Sequence, residues 1–296
     1  MSTDGGHVIP ISRISADQWK TLVRRGDAGR KPLLVSEAFS STDAVKTWTP
    51  ESIGERFADT RVSVAVDLPK RGTPYDTMVH GHRRNMTMGE FTRHLPSHPG
   101  SYLAQARMPK FPGLADDLGI ASAVVPPFIS ESLWIGNETR SGLHFDMADG
   151  LLAQVYGVKT ATLVAPGQFA NVYPYPDAHT KSRVDPGDFD QQAFPRFAEI
   201  DRFTATLTPG DALYIPRLWW HNLISDATSI SVNSWFGQVR LRDLPVTIVQ
   251  AGPAVWRQSA RDFVSMGMMK REHPKRMFTK PSGLWLYETC KTFVGR

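Results

Sequence analysis

The spacing of apolar and polar positions changes character twice along the chain. Up to about residue 100 it is mixed. Ser15-Ala-Asp-Gln18 and Thr87-Met-Gly-Glu90 each set a hydroxyl three residues ahead of an amide or carboxylate, which predicts two helix starts closed by reciprocal side-chain and backbone bonds. Thr49-Pro50 predicts a third, with proline in the first turn where its missing N–H is not needed. Residues 32–35 and 61–66 read as strands. Residues 69–85, polar and rich in Gly, His and Arg, read as a loop.

From about residue 101 the pattern shortens to β runs separated by turns. Strands are predicted near 102–105, 132–135, 151–155, 160–164, 203–207, 212–215, 221–224 and 229–235, with a Pro-Gly turn at Thr208-Pro-Gly-Asp211. Such a series predicts a sandwich or jelly roll rather than a βαβ fold. Residues 166–200 form a long insertion rich in Pro, Tyr and Asp, a length that usually means a functional or disordered segment. Beyond Phe236 the pattern turns helical: Val246, Val249, Val255, Phe263 and Met266 fall at rough helical spacing, broken at Gly252-Pro253, and 283–293 reads as a last helix.

Composition narrows this picture. A chain of 296 residues that is 41% apolar can bury a large core. No apolar run approaches the roughly 20 residues of a membrane span. The start, MSTDGGHVIPIS, lacks the apolar stretch of a signal peptide, so a cytoplasmic protein without membrane association is expected. Cys290 is the only cysteine, which excludes an intrachain disulfide and a thiolate cluster and reads as a small buried hydrophobe. The net charge of +5 is mild. Its basic stretches (Lys70-Arg71 with His80, His82, Arg83 and Arg84, and Lys270-Arg271 with Lys275-Arg276) read as solvated loops and a helix end, with attraction of an acidic substrate or partner as the alternative. They sit on no nucleic-acid module, so no nucleic-acid partner is expected.

The candidate chemistry lies in Ser141-Gly-Leu-His144-Phe-Asp146. Alternate residues of a strand face one side, so His144 and Asp146 can point together into a barrel mouth. His221, opening a strand 77 positions after His144, is the candidate third ligand. Two imidazoles and a carboxylate on one face of a metal leave the opposite positions open, the arrangement of non-haem Fe(II) oxygenases. An HxD pair alone is weak evidence, because a hydrogen-bonded strand end and a core histidine would look the same. His80 and His82 form an HxH with no obvious third ligand, and His179 reads as exposed.

The stretches LWIG, SGLHFD, LLAQVYGVK, YPYP, PGDALYIPRLWWH and ISVNSWF resemble those of JmjC-domain hydroxylases, in particular factor-inhibiting-HIF-like asparaginyl hydroxylases and small JmjC enzymes. The resemblance runs from about residue 32 to 237. It implies a mainly β (α+β) chain built on a double-stranded β-helix, the cupin jelly roll. An α/β extension would occupy 1–100, the catalytic barrel 101–240 and C-terminal helices 241–296. It also implies Fe(II) held by His144, Asp146 and His221, with O2 and 2-oxoglutarate as cosubstrates. Lys159 and Ser141 match positions that hold the distal carboxylate of 2-oxoglutarate, Tyr102 a tyrosine some members use for it, and Asn233 and Trp235 positions lining the iron pocket. A lysine in an otherwise apolar strand needs such a partner, since an unpaired buried ammonium is costly. Gly150 departs from an asparagine of some relatives, implying a roomier or differently bonded pocket. Hydroxylation of a C–H bond in a peptide or protein side chain is expected. A small-molecule substrate, demethylation or a non-catalytic binding cupin are the alternatives. The C-terminal helices resemble in placement those through which some relatives form homodimers; Val246, Val249, Phe263 and Met266 would either form that surface or pack on the outside of the barrel.

Overall fold

The three capping signals all begin helices in the computed structural model, which describes residues 6–69, 82–175, 180–237, 253, 256–257, 259–271, 283, 287 and 291. Helix α1 (Ala16–Arg24) starts at Ser15, whose hydroxyl accepts from the Gln18 N–H while Gln18 returns a bond to the Ser15 N–H. Helix α2 (Asp43–Thr47), capped by Thr42, was not signalled by a capping box. Helices α3 (Pro50–Arg56) and α4 (Met88–His94) start at Thr49 and Thr87.

Fourteen strands among the described residues form two sheets. In chain order they are β1 (Val8–Pro10), β2 (Arg13–Ser15), β3 (Leu33–Ser36), β4 (Arg61–Ala65), β5 (Arg83–Thr87), β6 (Ser101–Arg107), β7 (Phe128–Asn137), β8 (Thr139–Arg140), β9 (Asp149–Tyr156), β10 (Lys159–Val164), β11 (Arg202–Leu207), β12 (Ala212–Ile215), β13 (Trp220–Ser225) and β14 (Ser229–Phe236). One sheet runs β1-β11-β10-β13-β8 and the other β2-β3-β12-β9-β14-β7-β6-β4-β5. All eight strands expected after residue 101 are present. The two sheets and the helices on them are the expected jelly roll with helical additions. Strand β5 corrects only the end, 83–85, of the loop expected over 69–85, of which 70–81 lie outside the described residues. It is an edge strand whose exposed arginines hide the strand period and discourage further pairing. Strands β1 and β2, three residues each, are too short to show a period.

The packing explains why β9 lacks an alternating polar face: it is buried on both sides. Leu151, Ala153 and Val155 join Trp48, Ile53, Met88 and Phe91 in the core under the N-terminal helices. Leu152 turns inward to pack with Ala161, Leu163, Leu213 and Ile215. A third cluster covers the outside of the five-stranded sheet, where Val172, Val184, Phe197 and Ile200 of the 166–200 insertion pack on Phe145 and Trp220. The described part of that insertion is therefore anchored by its own apolar residues. Trp219 and Trp220 are both buried. Among the described residues no helix is long and apolar enough to cross a membrane. His80, His179, Cys290, Val246, Val249, Val255 and most of the C-terminal helices lie outside the described residues.

Candidate active site

Backbone pairing brings the three candidate ligands together. The His144 N–H donates to the His221 carbonyl at 3.1 Å and the His221 N–H donates back at 2.7 Å. Directly opposed residues of an antiparallel pair share a face, so both imidazoles project the same way, with ring centroids 4.2 Å apart. Asp146 returns to that face, while Leu143 and Phe145 turn away into the cluster around Trp220. The Leu218 N–H closes the loop onto the Asp146 carbonyl at 2.8 Å. One ligand atom from each of His144, Asp146 and His221 lies within 4.8 Å of the others.

The hydrogen bonds around the triad select one tautomer for both histidines. His144 Nδ1 faces the Gly142 carbonyl at 2.8 Å and His221 Nδ1 the Trp219 carbonyl at 3.0 Å. A carbonyl only accepts, so each Nδ1 carries its proton and each Nε2 lone pair is left for a metal. Burial, then the neighbouring His221, holds His144 well below the usual imidazole range, so its ring is neutral. Trp235 Nε1–H donates to Asp146 Oδ2 at 2.8 Å. This donor set, two imidazoles turned by their Nδ1 bonds to offer Nε2 and an oriented carboxylate, fits a divalent transition metal such as iron.

The cavity above the triad has a volume of about 70 Å3. A water molecule needs roughly 10–15 Å3 on this measure, so several waters or a small dicarboxylate fit. Lys159 lines it, 4% exposed, with Nζ donating to Ser231 Oγ at 2.6 Å. The Ser231 hydroxyl in turn donates to Gln154 Oε1 at 2.9 Å, and the Gln154 amide donates to the carbonyls of Tyr156 and Gly157. Burial pulls the Lys159 ammonium down to about 7. Ser141 Oγ accepts the Leu223 N–H at 2.9 Å, which turns its own O–H toward other acceptors. Tyr102, Asn233 and Trp235 line the same cavity. So does Gly150, where a Cβ would sit 3.4 Å from Asn233 Oδ1: the Asn233 amide occupies the space beside it.

Several residues of the site were not singled out in the sequence. Lys181, from the long insertion, is 5% exposed and lines the cavity beside His144. No local pattern marks it. Trp134 and Gln105 also line the cavity, and Gln105 is held at φ 54° beside a break in the β6–β7 register. Arg217 clasps Asp149 through its backbone N–H at 2.8 Å and its guanidinium at 3.1 and 2.6 Å. These two stand three residues after Asp146 and four before His221. Opposite charges at the edges of both ligand motifs were the signal available for them.

A family model for a cupin-like domain matches residues 21–240. The chain is similar to Jumonji C domain-containing protein 5 of Drosophila melanogaster, 34% identical over 46% of this chain and 36% of that protein. It is also similar to lysine-specific demethylase 8 of Xenopus tropicalis, 31% identical over 70% of this chain and 48% of that protein. A third relative is tRNA wybutosine-synthesizing protein 5 of Danio rerio, 28% identical over 64% of each chain. The chain thus spans about a third to two thirds of the length of these relatives. With the jelly roll and the His-Asp-His cluster at its mouth, the match over most of its length means that this chain belongs to the cupin-like JmjC family.

Proposed function

We propose that this protein is an Fe(II)- and 2-oxoglutarate-dependent oxygenase that hydroxylates a C–H bond, with a peptide or protein side chain as substrate. One observation carries this reading: a buried ammonium, Lys159, faces the same small cavity as the His144-Asp146-His221 cluster. An apolar barrel has no use for a buried cation with one neutral partner, whereas a dicarboxylate bridging metal and lysine satisfies both ends.

In this reading His144 Nε2, Asp146 and His221 Nε2 hold the iron, and Trp235 keeps Asp146 aimed. Lys159 and the Ser141 hydroxyl hold the distal carboxylate of 2-oxoglutarate, with Tyr102 and Asn233 closing the pocket walls. The bound iron and cosubstrate supply O2 activation coupled to oxidative decarboxylation, which releases succinate and CO2 and oxidises the substrate C–H bond. The chain's own part is to position the target carbon and to exclude water with Leu152, Ile215 and Trp134. The relative named for demethylation fits the same chemistry, since N-demethylation can begin with hydroxylation of a methyl group.

The test is succinate formation by anaerobically purified protein given Fe(II), 2-oxoglutarate and O2, first alone and then with a peptide library. Slow succinate release that disappears in His221→Ala and Asp146→Ala is the expected result. Wild-type 2-oxoglutarate decarboxylation by Asp146→Ala would rule out the ligand assignment. The likeness to a protein named for tRNA modification adds a second reading, a tRNA substrate, and a tRNA arm of the same assay decides it.

A further inference from the structure

We propose that Lys181 reads a carboxylate on the substrate, so that the oxidised carbon lies near an acidic side chain or a free C-terminus of a peptide. This rests on the reading of the site given above and goes beyond it in naming what the substrate carries.

The placement of Lys181 follows from two isolated backbone pairings, His144 with Lys181 on one side and His144 with His221 on the other. The Ser182 N–H donates to Leu143 O at 2.8 Å and the Phe145 N–H to Thr180 O at 3.0 Å. These bonds flank His144 and Lys181, which makes them a non-hydrogen-bonded antiparallel pair, the kind whose side chains approach most closely. Lys181, His144 and His221 therefore stand in a row across three paired segments, on the face that carries the metal ligands.

Lys159 reaches the cavity from elsewhere. On β10 it is four residues from Leu163, the partner of His221, or about 13 Å along the strand. The two lysines thus flank the triad from opposite sides, β10 beyond His221 and the insertion beyond His144. In the proposed function 2-oxoglutarate spends one carboxylate on the metal and the other on Lys159. Lys181 then faces what enters beside the metal on the other flank.

An anion lying between Lys181 and a metal held by the triad is attracted by both, so this flank of the cavity suits a substrate carboxylate. The segment is also built to hold still. Ser182 Oγ bonds the Val172 carbonyl, the Tyr175 N–H donates to Lys181 O at 2.9 Å, and Arg140 pairs with Asp185. Val184 is buried below. A lysine on an anchored segment is preorganised to select by charge.

The experiment uses matched acid and amide probes: peptides bearing glutamate or glutamine, aspartate or asparagine, and a C-terminal carboxylate or carboxamide. Stimulated succinate release and quenching of the tryptophan emission, to which Trp134 and Trp235 contribute, are read for each pair. Wild type is expected to favour the acid of at least one pair by tenfold or more. Lys181→Gln should abolish that preference, Lys181→Arg retain it, and Lys181→Glu favour the amide. Binding without discrimination between acid and amide, binding of no probe by either readout, or an unchanged preference in Lys181→Gln would each overturn the proposal. A fall in 2-oxoglutarate affinity in Lys181→Gln with the acid preference intact would also overturn it, placing this lysine on the cosubstrate. Failure of the oxygenase reading looks different: acid-selective quenching that depends on Lys181, without succinate under any condition.

Discussion

The indole N–H of Trp235 donates to Asp146 Oδ2 at 2.8 Å, tying the last strand of the jelly roll to the carboxylate of the ligand cluster. The same oxygen lies 3.9 Å from His221 Nε2, so the indole sets which oxygen of Asp146 turns to the imidazoles. Trp235→Phe keeps a ring in the wall and removes only the donor. Losing an outer partner of a metal ligand typically costs about 10–100-fold in affinity, so Fe(II) or Mn(II) affinity should fall by that factor. A metal titration of the variant checks this. An unchanged dissociation constant would show that Asp146 is oriented by its backbone alone.

Arg217 and Asp149 tie the two ligand-bearing segments together. Their side chains are 19% and 12% exposed, and the contact is a two-pronged fork reinforced by the Arg217 N–H. Removing one partner of a buried pair leaves the other uncompensated, at about 3–5 kcal/mol. Asp149→Asn keeps shape and one acceptor and should cost less than Arg217→Leu. Both should weaken metal binding through the moved loop. Urea unfolding with the metal absent, then metal titration, separates the two effects.

Lys159 makes cosubstrate binding proton-linked. Its ammonium is lowered from 10.5 to about 7 by burial, so it is mostly neutral at pH 8 and mostly charged at pH 6. A carboxylate partner restores the charged form. Binding of 2-oxoglutarate should therefore take up close to one proton at pH 8 and almost none at pH 6. Calorimetry in buffers of different ionisation enthalpy measures the uptake, and equal uptake at both pH values would remove Lys159 from the binding step.

The same shift bears on stability. Between about 7 and 10.5 the unfolded chain holds a proton at Lys159 that the folded chain has released, so this group makes stability rise with pH across that window. Below about 7 both states are protonated and the burial penalty is present in full, on the order of 5 kcal/mol. Lys159→Met should accordingly raise the melting temperature at pH 6 while abolishing 2-oxoglutarate binding. A lower melting temperature would mean that the Lys159–Ser231–Gln154 chain stabilises more than burial of the amine costs.

Gly150 sets the room beside Asn233. Alanine there meets Asn233 Oδ1 at an ordinary contact distance of 3.4 Å and should be tolerated. Leucine enters the cavity, so Gly150→Leu should fold and lose 2-oxoglutarate or substrate affinity at least tenfold. A crystal structure or binding titration showing an unaffected cavity would place the position outside the ligand space.

Much of this protein is determined locally. Ser15, Thr49 and Thr87 commit their neighbours to helices because a hydroxyl three residues from an N–H needs no distant partner. The alternation of strands after residue 101 and the two-residue step from His144 to Asp146 likewise depend only on the pleat, and the motifs around them were enough to point to the family. Strand β5 was hidden because an edge exposed to water carries arginines where a central strand carries apolar residues. What only the tertiary structure decided is the register between segments far apart in sequence: His144 between Lys181 and His221, Arg217 against Asp149, and Trp235 over Asp146. Pairing register is set by the packing of whole faces, and a slip of one residue would turn each of these side chains to the opposite side. Spacing along the chain carries no record of that choice, so the second lysine in the wall became visible only once the sheets had closed around it.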